Sequence, residues 1–261
     1  VKEMLVEVPA TRETAIILHD VTVRYRSYTE KSSTLKESCI RLLRGRRSAE
    51  YESFNALSGA SLSVPKGSVL ALIGANGSGK STLLKVIAQV LKPSSGSVRV
   101  NGDVASLIEL GVAFDPELDA IENIYLHGAL HKKNATAIEK RVDAILDFAE
   151  LRPYARRPLR YYSSGMIARL GFSCAIDVDP DILLLDEILG VGDERFMAKC
   201  ANVFEGFIER GKTLVLVSHD LKMVERFATD AVLLSAGRIM YTGDTTTAIQ
   251  MYRDDSYQRV E

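Results

Sequence analysis

Cysteine is scarce in this sequence, and its spacing is wrong for pairing. The three thiols, Cys39, Cys174 and Cys200, form no CxxC pair and are odd in number. A disulfide framework or a zinc site is therefore not expected, and a reducing cytosol fits. Long apolar runs are missing too. Val69–Ala75 and Ile182–Leu185 are strand-length, well short of the ~18 residues a membrane-spanning helix needs. From Val1 onward no basic segment is followed by an apolar one, so no signal peptide is expected. An excess of either charge is also lacking, with 33 Lys and Arg against 34 Asp and Glu, a net charge of −1. That balance argues against a generic nucleic-acid binder, so no nucleic-acid partner is expected. With 46% hydrophobic residues it also argues against a disordered chain. No internal repeat and no low-complexity tract is present.

What is there is 261 residues, enough for one large domain or two small ones with a core that needs no staples. Ala15–Tyr25 reads as one or two strands. Arg24–Glu50 is strongly basic, with eight Lys or Arg and three acids. Within it Thr34 and Glu37 fit a capping box, and Leu35, Cys39, Leu42 and Leu43 share one helical face. This predicts a short basic amphipathic helix between two strands. Ala60–Val64 and Ser68–Ile73 read as strands around the Pro65-Lys66-Gly67 turn. Thr82–Leu91 reads as a helix. Ser97–Val100 and Val104–Leu107 read as a hairpin around Asn101-Gly102. Ala120–Leu151 and Ser163–Ile176 are helical in pattern. Ile182–Leu185, Thr213–Val217, Ala231–Leu234 and Ile239–Tyr241 read as strands. Such alternation predicts an α/β fold with a parallel sheet and a helical subdomain in the middle.

Gly74-Ala-Asn76-Gly77-Ser78-Gly79-Lys80-Ser81 matches G-x-x-x-x-G-K-[ST] after a predicted strand and before a predicted helix. Glycines let the backbone come close to phosphate, and the N–H groups from Asn76 to Thr82 converge at a helix N-terminus. Lys80 would reach the β- and γ-phosphates, and the Ser81 hydroxyl would ligate Mg2+. Ile182–Leu185 then delivers Asp186 and Glu187 to the carboxyl end of a sheet, where ligands bind in such folds. Asp186 would hold Mg2+, and Glu187 would act as general base on the attacking water.

Further along, Tyr162-Ser163-Ser164-Gly165-Met166 with Arg169 resembles the signature motif of ATP-binding cassette (ABC) ATPases. Asp193 and Val217-Ser218-His219-Asp220 follow in that family's order. The resemblance runs from about Ile16 to about Thr242. It implies a P-loop NTPase fold of the ABC-ATPase kind: a mixed β core with a RecA-like parallel sheet, a helical subdomain and an antiparallel β subdomain. A single nucleotide-binding domain is expected over 1–261. Its core would span about 15–112 and 171–245, and its helical subdomain about 113–170. The inserted basic helix would occupy about 32–46, with a tail at 246–261.

Residue by residue, the resemblance implies that Tyr25 stacks on adenine, with Tyr28 as the alternative. Ser163, Ser164 and Gly165 would cap the γ-phosphate of ATP held by a second copy, making the active unit an ATP-bridged homodimer. Asp193 would cross that interface. His219 would contact the γ-phosphate and orient water. Two motifs depart from the family pattern. Ser164 and Met166 stand where a glycine and a glutamine are usual. No glutamine precedes the helical subdomain, and Glu109 is the nearest oxygen donor for the metal.

These departures narrow the resemblance. Ile108–Leu118, Glu122-Asn-Ile-Tyr-Leu126, the YSSGM signature and Ala198-Lys-Cys200 are similar to ABC ATPases that export polysaccharides such as O-antigen, teichoic acid, capsule or galactan. The insert after Tyr25 fits the same group. The implied reaction is ATP hydrolysis with Mg2+ at the cytoplasmic face of the inner membrane. The implied partners are two copies of a transmembrane permease and, through it, a lipid-linked glycan. Arg41, Arg44, Arg46 and Arg47 would face lipid headgroups or the glycan's pyrophosphate, where a membrane surface contributes ~1 kcal/mol per nearby cation. The alternatives are a cassette serving a drug exporter or metabolite importer, and a non-transport ABC ATPase clamp.

Overall fold

A computed structural model describes residues 13–28, 51–106, 114–186, 194–218 and 220–254. The heart of the fold is a six-stranded sheet in the order β5-β6-β7-β3-β8-β9. Its members are β3 (Val69–Ile73), β5 (Val104–Ser106), β6 (Ile182–Leu185), β7 (Thr213–Val217), β8 (Asp230–Ser235) and β9 (Arg238–Asp244). All neighbours are parallel except β8 and β9. A second, antiparallel sheet has the order β2-β1-β4, from β1 (Thr14–Tyr28), β2 (Tyr51–Pro65) and β4 (Ser95–Val100). The α/β architecture with a parallel sheet is the one the sequence pattern predicts, and the separate antiparallel sheet is the one the resemblance implies.

The central strands are continuous apolar runs because both faces of their sheet are covered. Residues alternate between two cores. Ala71, Leu183, Leu185, Leu214 and Leu216 face one way, toward helices α4 (Ser164–Asp177), α5 (Glu194–Glu209), α6 (Leu221–Phe227) and α7 (Thr245–Arg253). Leu70, Leu72, Leu184, Val215 and Val217 face the other way, toward helix α1 (Lys80–Ile87) and the inner side of the antiparallel sheet. At about 1.5–3 kcal/mol for each fully buried aliphatic side chain, these two layers hold the parallel sheet rigid.

A third core joins α2 (Ala120–Leu130), α3 (Ala135–Ala149) and one side of α4 through Ile124, Ile138, Ile145, Leu146, Leu170 and Cys174. Helix α2 opens on a capping box between Asp119 and Glu122. Behind it Asn123 is fully buried. Its amide donates to the carbonyls of Asp115, Leu118 and Asp119, and its oxygen accepts from the Asp115 N–H. Both its NH2 donors and its oxygen are thus used in tying the 115–119 loop to the helix.

The structure overturns the expected hairpin around Asn101-Gly102. Strand β4 pairs with β1, and β5 pairs with β6, so the dipeptide crosses between sheets. Asn101 donates to the Thr14 carbonyl at 2.8 Å, and Asp181 accepts from the Asp103 N–H at 3.0 Å. These contacts turn the chain out of one sheet and into the other. Two further differences concern extent. Strands β1 and β2 are longer than expected and pair as far as Tyr28 with Tyr51, so the basic insert joins two paired strand ends. The stretch assigned to a tail begins as α7, which buries Ala248 and Ile249 in the first core and is capped by Asp244.

Candidate nucleotide site

The loop between β3 and α1 is built for close backbone approach. At Gly74, φ is +152°, and a Cβ there would lie 2.3 Å from the Leu234 carbonyl oxygen and 2.7 Å from Ser78 Oγ. Gly79 ends the loop at φ +108°, where a Cβ would press 2.7 Å from the Ala56 carbonyl oxygen. Backbone atoms cannot move aside, so both positions require glycine. Elements distant in sequence brace the loop from behind. The Gly237 N–H donates to the Ser78 carbonyl at 3.0 Å, and the Ser58 N–H donates to the Gly237 carbonyl at 2.8 Å.

Helix α1 starts with no side-chain cap. Its N-cap, Gly79, has no side chain to accept from the first N–H groups, and these carry the positive end of the helix dipole. Lys80 is only 6% exposed, and its ammonium donates to the carbonyls of Gly74 at 2.8 Å and Ala75 at 3.0 Å. It is therefore bent back over the loop it belongs to. Ser78 Oγ is buried without a hydrogen-bond partner among the described residues, while Ala75, Asn76, Gly77 and Ser81 face solvent. A Cβ on Gly77 would meet nothing within 4 Å. The result is an open cradle of donors with a buried cation in its floor, and such a cradle fits the phosphates of a nucleotide.

Asp186 follows β6 directly and is half-buried. Strands β6, β7 and β3 run parallel, so Asp186, Ser218 and the phosphate loop all emerge at one carboxyl edge. Ser218 Oγ accepts from the Asp220 N–H at 3.0 Å, and Asp220 caps α6. The structure thus brings together Gly74–Thr82 and Asp186 at one edge. The expected residues Glu187, Asp193, His219 and Glu109 lie outside the described residues, as does the basic insert with Arg41, Arg44, Arg46 and Arg47.

Tyr25 stands opposite Phe54 in the β1–β2 ladder, with ring centroids 5.6 Å apart in a stacked arrangement. Tyr25 leans on the second core, whereas Phe54 is 59% exposed. Phe54 is two residues from Ala56, whose carbonyl abuts Gly79 at the end of the loop. Sequence reading missed Phe54, because only the strand register places it beside Tyr25. The side chain of Tyr28 is outside the described residues.

Ser163 is the N-cap of α4, its Oγ accepting from the Met166 N–H at 3.2 Å. Ser163 and Ser164 are exposed and Gly165 is half-buried, so the N-terminus of α4 opens to solvent. Behind it, the Tyr162 hydroxyl donates to the Tyr154 carbonyl at 2.8 Å, anchoring the turn to the helical core. The two open helix N-termini, on α1 and α4, thus rest on different cores. The described cysteines take no part. Burial pushes the Cys174 thiol up and that of Cys200 up to about 12, so neither is a nucleophile near neutral pH.

Comparison with known proteins agrees with this geometry. Residues 57–190 match the profile of the ABC transporter family. The chain is 41% identical to the O-antigen export system ATP-binding protein RfbB of Myxococcus xanthus, over 92% of this chain and 56% of that protein. It is 39% identical to the protein of the same name from Klebsiella pneumoniae, over 92% of this chain and 98% of that one. It is 37% identical to the teichoic acids export ATP-binding protein TagH of Bacillus cereus, over 90% of this chain and 41% of that protein. The chain therefore spans about half the length of some relatives and nearly all of another. In structure it resembles a dimeric ATP-binding cassette solved in a post-hydrolysis state with ADP and phosphate. The TM-score is 0.70 at 24% identity, over 88% of this chain and 98% of that one. Phosphate cradle, acid-tipped strand, capped signature helix and sequence similarity agree: this chain belongs to the ABC transporter family and carries its ATP-binding cassette.

Proposed function

We propose that this protein hydrolyses ATP to drive export of a lipid-linked polysaccharide of the O-antigen or teichoic acid type. The observation that carries the reading is the preformed cradle at Gly74–Thr82, with Lys80 in its floor and Asp186 at the same sheet edge. In the proposed mechanism the N–H groups from Asn76 to Thr82 hold the phosphates, and Lys80 exchanges its two loop carbonyls for phosphate oxygens. Tyr25 stacks on adenine, with Phe54 beside it. The donor set also fits Mg2+, which takes oxygen ligands, with Ser81 and Asp186 holding it and Glu109 the candidate third donor. When bound, the ion would neutralise phosphate charge. Glu187 takes a proton from the attacking water, and His219 orients that water.

The signature end of α4 has its own capped N-terminus and stands on a separate core. This supports a site shared by two copies, Ser163, Ser164 and Gly165 of each closing over the nucleotide of the other, with Asp193 at the interface. Two permease subunits would supply the pore. Among the described residues no helix is long and apolar enough to cross a membrane. We place the protein peripherally at the cytoplasmic face of the inner membrane. The relatives' names favour glycan export over a drug or metabolite substrate.

The test is reconstitution of the tagged protein with the membrane protein it co-purifies with from its native host. ATPase activity should rise when lipid-linked glycan is added, and Lys80→Ala should abolish it. Co-purification with a permease whose ATPase responds to drugs and not to glycan would overturn the assignment.

A further inference from the structure

Helix α3 ends at Glu150, which sits in the left-handed region at φ +59°, a conformation more often given to glycine or asparagine. Its carboxylate is shared between two other helices. Oε2 accepts from Arg169 Nη1 of α4 at 3.0 Å, and Oε1 accepts from Lys199 Nζ of α5. Side chains of all three are about two-thirds covered or more, at 31%, 19% and 32% exposure. The two cations hold the Glu150 carboxyl below its ordinary range, Lys199 contributing most.

Beneath the carboxylate lies a knot of three rings, one from each helix. Phe148 of α3 stacks on Phe172 of α4 at 6.0 Å, and Phe196 of α5 meets both edge-on at 5.8 and 6.0 Å. The Arg169 guanidinium lies 5.0 Å over Phe196, and the Lys199 ammonium 6.0 Å over Phe148. The seam matters because α4 is shared between two cores. Phe172 and Ala175 pack with the parallel sheet, and Leu170 and Cys174 pack with α2 and α3. Ring pairs of this kind contribute only about 0.5–1.5 kcal/mol each beyond their burial, so on their own they hold the rotation of α4 weakly. A carboxylate with two charge-assisted hydrogen bonds is directional.

We infer that Glu150 is a positioning residue that fixes the rotation of α4, and so aims Ser163 and Ser164 at nucleotide bound to a second copy. Arg169 lies in the second turn of the helix that Ser163 caps, so holding its guanidinium sets the direction in which the helix end points. The role rests on the shared-site reading proposed above. Glu150 lies on the first-core side of the parallel sheet, opposite α1 and the phosphate loop.

Glu150→Gln keeps the shape and removes the charge. Lys199→Met keeps the stem over Phe148 and removes the donor. Each is made alone and together, first in the otherwise native chain and then with Glu187→Gln to trap the dimer. The expected result is ATP affinity within twofold of the native chain, ATP-driven dimerisation weakened tenfold or more, and kcat lowered to match with KM little changed. The double variant should be no worse than the more severe single, because both break one shared contact. A lowered melting temperature with native dimerisation and kcat would reduce Glu150 to a stabilising ion pair and overturn the inference. If Glu150→Gln does not fold, Lys199→Met decides alone by the same readouts. If Glu187→Gln by itself stays monomeric in ATP, the shared-site reading fails first and the role of Glu150 falls with it.

Discussion

Two glycines separate what the phosphate loop does for folding from what it does for ATP. Gly77 lies in the loop at φ +79°, and Gly211 lies in the turn before β7 at φ +69°. At both positions an added Cβ would meet nothing within 4 Å. Alanine therefore carries the same backbone cost at each, about 1–2 kcal/mol for an L-residue in the left-handed region. At roughly 2–4 °C per kcal/mol for a domain approaching this size, both variants should melt ~2–8 °C below the native chain. Their effect on nucleotide should differ. The open space beside Gly77 is where phosphate would rest, so Gly77→Ala places a methyl group among the converging N–H groups. Losing one hydrogen bond to a charged group costs about 1.5–3 kcal/mol. That corresponds to about a tenfold to hundredfold loss of affinity. Scanning calorimetry and titration calorimetry with a non-hydrolysable ATP analogue read the two effects separately. Gly211→Ala should bind the analogue like the native chain. If Gly77→Ala binds it equally well while melting lower, the cradle does not hold phosphate as described.

Two further predictions concern other parts of the chain. Burial lowers the His127 pKa from an ordinary 6.5 to about 4, so the folded chain keeps this imidazole neutral. Stability is then fully present above pH 6.5 and falls as pH drops toward 4, by roughly 3 kcal/mol. Denaturant midpoints across that range should show the loss, and His127→Phe should reduce it, leaving the share of His131, whose pKa burial also lowers. Reversing the charges of Arg41, Arg44, Arg46 and Arg47 together should leave ATP hydrolysis in detergent unchanged and cut glycan export in cells. Native export by that variant would remove the membrane role proposed for the insert.

Legibility from sequence follows how local each feature is. The phosphate loop, the Ile182–Leu185 strand with its acid, and the helix opening at Ser163 are readable because their physics is contained within a few consecutive residues. The Asn101-Gly102 turn was misread because its dipeptide favours a hairpin locally, while β1 and Asp181 compete for its two ends from far away. Phe54 went unnoticed for the same reason, since its pairing with Tyr25 depends on strand register across an insert. Nothing in the sequence around Glu150 singles it out. Only the meeting of α3, α4 and α5 shows that one carboxylate serves all three. Helix α7 reads as tail in the sequence because its buried pair, Ala248 and Ile249, is too short a stripe to stand out.

The central claim is that two copies hold ATP between them and that Glu187 triggers its hydrolysis. It is tested most directly by sedimentation of Glu187→Gln with ATP and with ADP, alongside its turnover. The account predicts a dimer in ATP, a monomer in ADP and turnover close to zero. A Glu187→Gln protein that stays monomeric in ATP, or that hydrolyses ATP at the native rate, would contradict it.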